Sequence, residues 1–248
     1  NGGTKYEIDI SDTYITTGNG NKGSNKLKGV GQIFNKLEMS KWDRNGSGLL
    51  VTTIMPRYYF DLRSMAMAND MFDYFKNQFE FYNNLTQTVK KSMIVRIPIF
   101  NKKDDYGWNI TKLWIDKFPG VNIESKNLPF NKSVKNCRIS IHTSNTTTFN
   151  ETLAANIPTM VYWNKKYNEL KDYSEYDISL LESVGIFHKN SISAANHLIQ
   201  VWNKISEWWY NDELQKIRLD YCRKYAHRDK YLIKNLSNTL SESIKHKK

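Results

Sequence analysis

The densest run of hydroxyl and amide side chains follows an isoleucine-rich stretch, Ile139-Ser140-Ile141-His142. It continues as Thr143-Ser144-Asn145-Thr146-Thr147-Thr148 and then Phe149-Asn150-Glu151-Thr152-Leu153-Ala154. That order reads as a strand turning directly into a helix. The first turn of a helix carries N–H groups without intrahelical partners and a partial positive charge, and both attract a phosphate. Asn145, Thr146 and Thr147 add short donors without bulk, so the run has the chemistry of an anion cradle. The same letters also have a purely local reading. Thr148-Phe149-Asn150-Glu151 matches a capping box, with Thr148 as the cap and Glu151 reaching back to it. Thr148 can serve both purposes. For Glu151 they compete, because a carboxylate folded onto the cap is not free to hold a ribose hydroxyl.

Other candidates lie after two more apolar runs. Arg96 near the end of residues 93–97 has the planar fork that pairs with phosphate or carboxylate, and Tyr106 and Trp108 beyond it have rings that can stack on a base or sugar. A plain surface turn around Gly107 is the competing reading. Arg57, in Pro56-Arg57-Tyr58-Tyr59-Phe60, is a further cation at a strand end and is equally well placed in solvent. His142 stands alone, and a lone histidine at a strand end reads as packed and hydrogen-bonded rather than catalytic. No general base is identifiable. No metal is expected, since the chain has no Asp-x-Asp pair and Asp104-Asp105 are adjacent; no cofactor is expected either. Gly29-Val30-Gly31-Gln32-Ile33-Phe34 begins like a dinucleotide fingerprint but lacks the third glycine and does not join a strand to a helix, which argues against a nicotinamide oxidoreductase.

The elements that must position these residues alternate. Residues 48–54, 93–97, 121–124, 138–142 and 159–163 read as strands. Residues 64–85, with apolar side chains at Met67, Met71, Phe72, Phe75, Phe79 and Tyr82, read as a helix with one buried face. Residues 108–118, 131–136 and a stretch from about Thr148 to Ile157-Pro158 read as further helices, and from about Ser174 onward the chain reads as nearly all helix, including 193–209, 212–225 and 229–244. Two short extended candidates, 13–17 and 28–34, flank a glycine- and asparagine-rich separator. Strands alternating with helices predict an α/β fold, a Rossmann-like doubly wound parallel sheet with a helical C-terminal third. Residues 1–47 read as a lead-in segment packed on a Rossmann-like domain of residues 48–248. Ligands of such sheets bind outside the carboxyl ends of the strands, which directs attention to the loops after Ile54, Ile97 and His142.

Composition narrows the classes. The chain has 248 residues, 40% hydrophobic and 25% charged, which excludes general disorder. Its apolar runs, such as 157–163, are far shorter than the ~20 residues of a membrane-spanning helix. The start at Asn1, with neither Met nor an apolar leader, reads as a cut end of a longer chain. Cys137 and Cys222 have no metal-binding spacing and read as small buried apolar groups in a reducing compartment. The formal charge of +11 favours anionic partners, although a lysine- and asparagine-rich codon bias also produces it. A basic module for nucleic acid or anionic membrane is therefore the main rival, without any motif that reads DNA or RNA.

Several segments together resemble a known family: Arg96-Ile97-Pro98, Asp105-Tyr106-Gly107-Trp108, the run from Asn145 to Thr159, Tyr162-Trp163-Asn164, Gly185-Ile186-Phe187-His188, Ser193-Ala194-Ala195-Asn196-His197 and Trp208-Trp209. They resemble the C-terminal half of bacterial transferases of surface-carbohydrate biosynthesis with GT-B-like glycosyltransferase architecture, with a more distant similarity to capsule-polymer and poly(glycerol phosphate) transferases. The resemblance implies two facing Rossmann-like domains. A nucleotide-sugar donor would sit on this half, and a glycan or lipid-linked acceptor mostly on the other. It implies a cytoplasmic enzyme, compatible with peripheral contact at the inner face of the cell membrane, and no specific nucleic acid. The leaving phosphate would be stabilised without metal by residues 145–148, supplemented by Arg96 or Arg57, with Glu151 on the ribose. Asn1 stands where the family tends to have histidine, and His142 replaces a small or aromatic residue. A GT-B-like half that binds without catalysing is the alternative within the same resemblance.

Overall fold

The computed structural model of the chain describes residues 2–18, 26–32, 37–58, 65–98, 107–124, 128–168, 170 and 172–245. The first elements are α1 (Gly2–Ile10), β1 (Tyr14–Thr16), β2 (Leu27–Gly29), β3 (Ser47–Val51), α2 (Asp70–Asn84), α3 (Gln87–Lys91), β4 (Met93–Arg96), α4 (Ile110–Lys117) and α5 (Phe130–Lys135). They are followed by β5 (Cys137–His142), α6 (Thr147–Ala154), β6 (Thr159–Tyr162), α7 (Asp172–Ser183), β7 (Phe187–His188), α8 (Ser191–Val201), α9 (Ile205–Trp209), α10 (Asp212–Tyr225) and α11 (Leu232–Lys245).

β3 to β7 form one parallel sheet of five strands in the order β4-β3-β5-β6-β7. The central strands are nearly continuous apolar runs because helices cover both faces. Side chains alternate between those faces. Leu50, Met160 and Tyr162 join the core under α2, α4 and α8, whereas Leu49, Val51, Val161 and Phe187 face the opposite side with α5, α6, α7 and α10. The α2 stripe that the sequence predicts buries Met71, Phe75 and Tyr82 against α8 and the sheet.

The chain enters the sheet at β3, adds β4 on one side, and then crosses back to place β5 on the other. That reversal makes the β3/β5 boundary the topological switch point. Register brings three loops to one level, since Val51 pairs with Arg96 on one side and His142 on the other. The turn before β3 is just as tightly placed. A side-chain carbon at Gly46 would collide with the Asn136 carbonyl, while Arg138 Nε donates to the Gly46 carbonyl at 2.8 Å.

Several sequence expectations change. Residues 121–124 form only a bridge, Val95 with Ile123, beside β4. The stretch 193–209 divides into α8 and α9, and β7 lies within the tract read as nearly all helix. β2 ends at Gly29, and α2 begins at Asp70 because residues 65–69 are not helical. The helices α1 and α3 are additional. The lead-in residues pack on the body: Leu37 is buried beside Leu49, Gln32 N–H donates to the His227 carbonyl, and Thr13 hydrogen-bonds Ser243. Cys137 and Cys222 are free and buried, and burial pushes their thiols up to about 12 and about 11.

Gly46→Ala should lower stability by about 1–3 kcal/mol through overpacking against backbone, measured as a shift of the urea midpoint with unchanged slope.

Candidate functional site at the switch point

The loops after β3 and β5 are stitched together by α2. Thr143 donates to the Val51 carbonyl through both N–H and Oγ1, at 3.3 and 3.1 Å, which extends the strand pairing by one residue. Tyr74 of α2 hydrogen-bonds Thr143 Oγ1 and accepts from Thr53 N–H at 2.7 Å. Burial pushes the Tyr74 phenol well up, so it stays neutral.

From this fixed point the chain turns into α6. The helix starts at Thr147, one residue before the sequence reading, with Thr146 as its N-cap in an extended conformation. The Thr146 side chain makes no cap bond. Its Oγ1 pairs with Thr148 Oγ1 at 2.9 Å, and Thr148 Oγ1 lies 3.4 Å from His142 Nδ1. The capping box is therefore not formed, and this corrects the local reading of Thr148 and Glu151. The N–H groups of Thr147 and Thr148 have no hydrogen-bond partner among the described residues. By contrast, the caps of α8 and α10, Asn190 and Asn211, use their side chains on first-turn N–H groups. Asn145 and Thr147 are exposed beside the free donors. Glu151 is half-buried, and burial alone raises its carboxyl above the usual range, with no partner among the described residues.

His142 is packed, as the sequence reading expects. Its Nε2 lies 3.0 Å from Ser140 Oγ and 3.2 Å from Thr152 Oγ1, and burial pulls its pKa down to about 3. A neutral ring enclosed in this way orients the Thr148–Thr146 pair from below and does not reach a substrate.

Two expected ligand groups are structural. Arg96 forms an ion pair with Glu124, donates to Ser133 Oγ at 2.9 Å and to the Leu128 carbonyl at 2.8 Å, and is largely buried. Its guanidinium holds the segment beyond β4 and is not free for a phosphate, contrary to the sequence expectation. Trp108 is also corrected. It is buried, donates Nε1–H to the Met55 carbonyl at 2.8 Å, and meets Phe72 and Phe75 edge-on. Arg57 lies 5.5 Å above its ring, so that face is occupied. Arg57 itself is exposed beyond β3. Tyr106 lies outside the described residues.

One feature is missed by the sequence reading. Beyond the ends of β5, β6 and β7, a cavity of about 40 Å³ is lined by Thr143, Tyr74, Gln78, Tyr162, Trp163 and Lys189, among others. Gln78 Nε2 and Oε1 and Tyr162 Oη, of residues that line it, are buried without hydrogen-bond partners among the described residues; so is Trp163 Nε1, but its ring packs on Phe149 and Phe187 on the opposite face of the sheet. Each such group costs about 1–3 kcal/mol. The available signal was Gln78 itself, a polar residue among Tyr74, Phe75, Phe81 and Tyr82 on the buried stripe of α2. The cavity reaches Thr143 but not residues 145–148, of which Asn145 and Thr147 are exposed.

Residues 1–240 match the model of a family described as LIC12162 family transferase. Among solved structures, the chain is similar to the crystal structure of the glycotransferase of kitacinnamycin, with 10% identity and a TM-score of 0.41, covering 86% of this chain and 50% of that one. The chain thus spans half the length of that protein. No curated protein matches.

Arg96→Met should destabilise the fold by about 3–5 kcal/mol, because it leaves Glu124 buried and unpaired, measured by urea unfolding. A second expectation concerns acid. His142, His188 and His197 are all held below the ordinary imidazole pKa by burial, His142 to about 3 and His188 to about 4. The unfolded chain takes up protons near pH 6.5 that the folded chain refuses. The share of stability held by these rings is therefore complete above that pH and falls as pH drops. The fall is up to about 1.4 kcal/mol per pH unit for His142 until about pH 3 and for His188 until about pH 4, and less for the partly exposed His197. His142→Gln should flatten the fall of Tm between pH 6 and 4 by about one proton's share.

Proposed function

Because the chain belongs to the LIC12162 family of transferases, we propose that it binds a nucleotide-activated sugar at the carboxyl edge of its sheet and serves glycosyl transfer. The observation that carries this reading is the uncapped first turn of α6 at the switch point, where Thr147 and Thr148 N–H have no partner among the described residues and Asn145 and Thr147 are exposed beside them. Amide dipoles and the helix end stabilise the charge that develops on a departing diphosphate. Thr146 and Thr148 shape the rim, and Arg57 at the neighbouring strand end supplies a cation. Glu151, raised by burial and unpaired, accepts from or donates to a ribose hydroxyl.

In the reaction, the acceptor hydroxyl oxygen bonds to the anomeric carbon as the carbon–oxygen bond to the diphosphate breaks. The hydroxyl proton passes to a base outside the residues assigned here, His142 being enclosed. The donor is a nucleotide sugar and the acceptor a glycan or lipid-linked saccharide of a bacterial surface polymer. Residues 48–248 form the donor-binding domain and residues 1–47 the segment packed on it. The setting is the cytoplasm, with peripheral membrane contact, which suits the charge of +11. No helix among the described residues is long and apolar enough to cross a membrane.

Isothermal titration with nucleoside diphosphates and their sugar conjugates tests the reading. Asn145→Ala combined with Thr147→Ala should weaken binding about 100-fold, since two hydrogen bonds to a charged group are worth ~3 kcal/mol together. Glu151→Ala should weaken nucleotides about tenfold while leaving inorganic pyrophosphate unchanged. Unchanged affinity in the double variant would remove the cradle. Binding that vanishes with modest salt and extends equally to unrelated DNA would favour the basic-module alternative.

A further inference from the structure

Gln78 and Tyr162 come from two different elements, α2 and the end of β6, and line one cavity with three polar atoms unpartnered among the described residues. Other polar groups of its lining are engaged. Tyr74 and Thr143 bond each other, Lys189 pairs with Glu182 at 2.8 Å, and Ser191 donates to Glu80. The unpartnered atoms are all neutral, so the complementary group is neutral too; a phosphate would enter without a cation to meet it. Size is equally selective. About 40 Å³ accommodates about three water-sized atoms at ~10–15 Å³ each, so an edge of a ligand enters and a whole nucleotide does not.

The side-chain amide of Gln78 offers an acceptor and a donor side by side, and a group presenting N–H and C=O in the same arrangement satisfies both at once. Tyr162 Oη can donate or accept, which adds a place for the carbonyl of such a group. We infer that this cavity is a specificity pocket for a planar amide of the donor, read by Gln78 with Tyr162. The inference rests on the donor-binding reading above. Two parts of a nucleotide sugar carry this chemistry: an acylamino substituent on the sugar, or the lactam edge of a uracil, thymine or guanine base. The cavity shares Thr143 with the turn that leads to α6.

The test uses the full chain, with UDP, UDP-glucose, UDP-N-acetylglucosamine and GDP as probes, and Gln78→Met and Tyr162→Phe as variants. If the sugar's amide enters, Gln78→Met weakens UDP-N-acetylglucosamine at least tenfold and leaves UDP and UDP-glucose unchanged. If the base enters, it weakens UDP and both conjugates, or GDP, by a similar factor. Tyr162→Phe should act in the same direction. Thermal unfolding without ligand supplies an independent readout: removing an unpartnered buried amide should leave Tm unchanged or raise it by about 2–4 °C. A fall in Tm of that size would show Gln78 to be a structural group and overturn the inference. Unchanged affinities in both variants, while Asn145→Ala with Thr147→Ala still weakens the nucleotides, would overturn the pocket and leave the donor site standing. A wild-type chain that binds none of the probes overturns both.

Discussion

The pairing of β3 with β5 is the constraint on which the rest depends. It places Val51 level with His142, and β4 on the other flank brings Arg96 to the same height. A slip of one residue would exchange Leu49 and Val51 with Leu50 between the two faces of the sheet, which is why the register is firmly held. Thr143 carries that register one residue past the strand by bonding Val51, and Tyr74 locks the result to α2. The position of the α6 first turn is therefore a consequence of core packing. A loop of hydroxyl and amide residues hung on a less rigid strand end would not hold donors in one place.

Charge is distributed less simply than the total suggests. The arginine nearest the sheet edge, Arg96, is enclosed by Glu124, Ser133 and Leu128 and acts as a strut. In the proposed site, the attraction for an anion rests on backbone dipoles and neutral hydroxyls around Thr146, with Arg57 as an exposed supplement resting on Trp108. Such a rim is positive without burying a lysine or arginine, and so avoids the desolvation that lowers the pKa of Arg218 elsewhere in the domain.

Much of this was readable in the letters. The β-branched and apolar runs around Leu50, Val95, Ile141 and Val161 marked the sheet, and the three- and four-residue spacing of Met71, Phe75 and Tyr82 marked α2. The turn at residues 143–148 was legible because hydroxyl and amide side chains cluster there between a strand and a helix. β7 was not, since two residues, Phe187 and His188, are too few to show any period, and they pair only because β6 offers an open edge. Arg96 and Trp108 misled for a related reason. Residue type reveals what a side chain can bind, while the partners that occupy it, Glu124 and the Met55 carbonyl, are 28 and 53 positions away. The absent capping box at Thr148 has the same origin, because His142 and Thr146 compete for its hydroxyl.

The small bridge between Val95 and Ile123 has a consequence for solubility. β4 is an outer strand of the sheet, and its free backbone groups would be a template for another extended chain. Val95 N–H instead donates to the Asn122 carbonyl, and the Val95 carbonyl accepts from Glu124 N–H, so that side is sealed from within. At the far side, β7 is only two residues long and presents little to copy. Borders blunted in this way leave the five-stranded sheet little backbone on which another extended chain could pair, which disfavours edge-to-edge association.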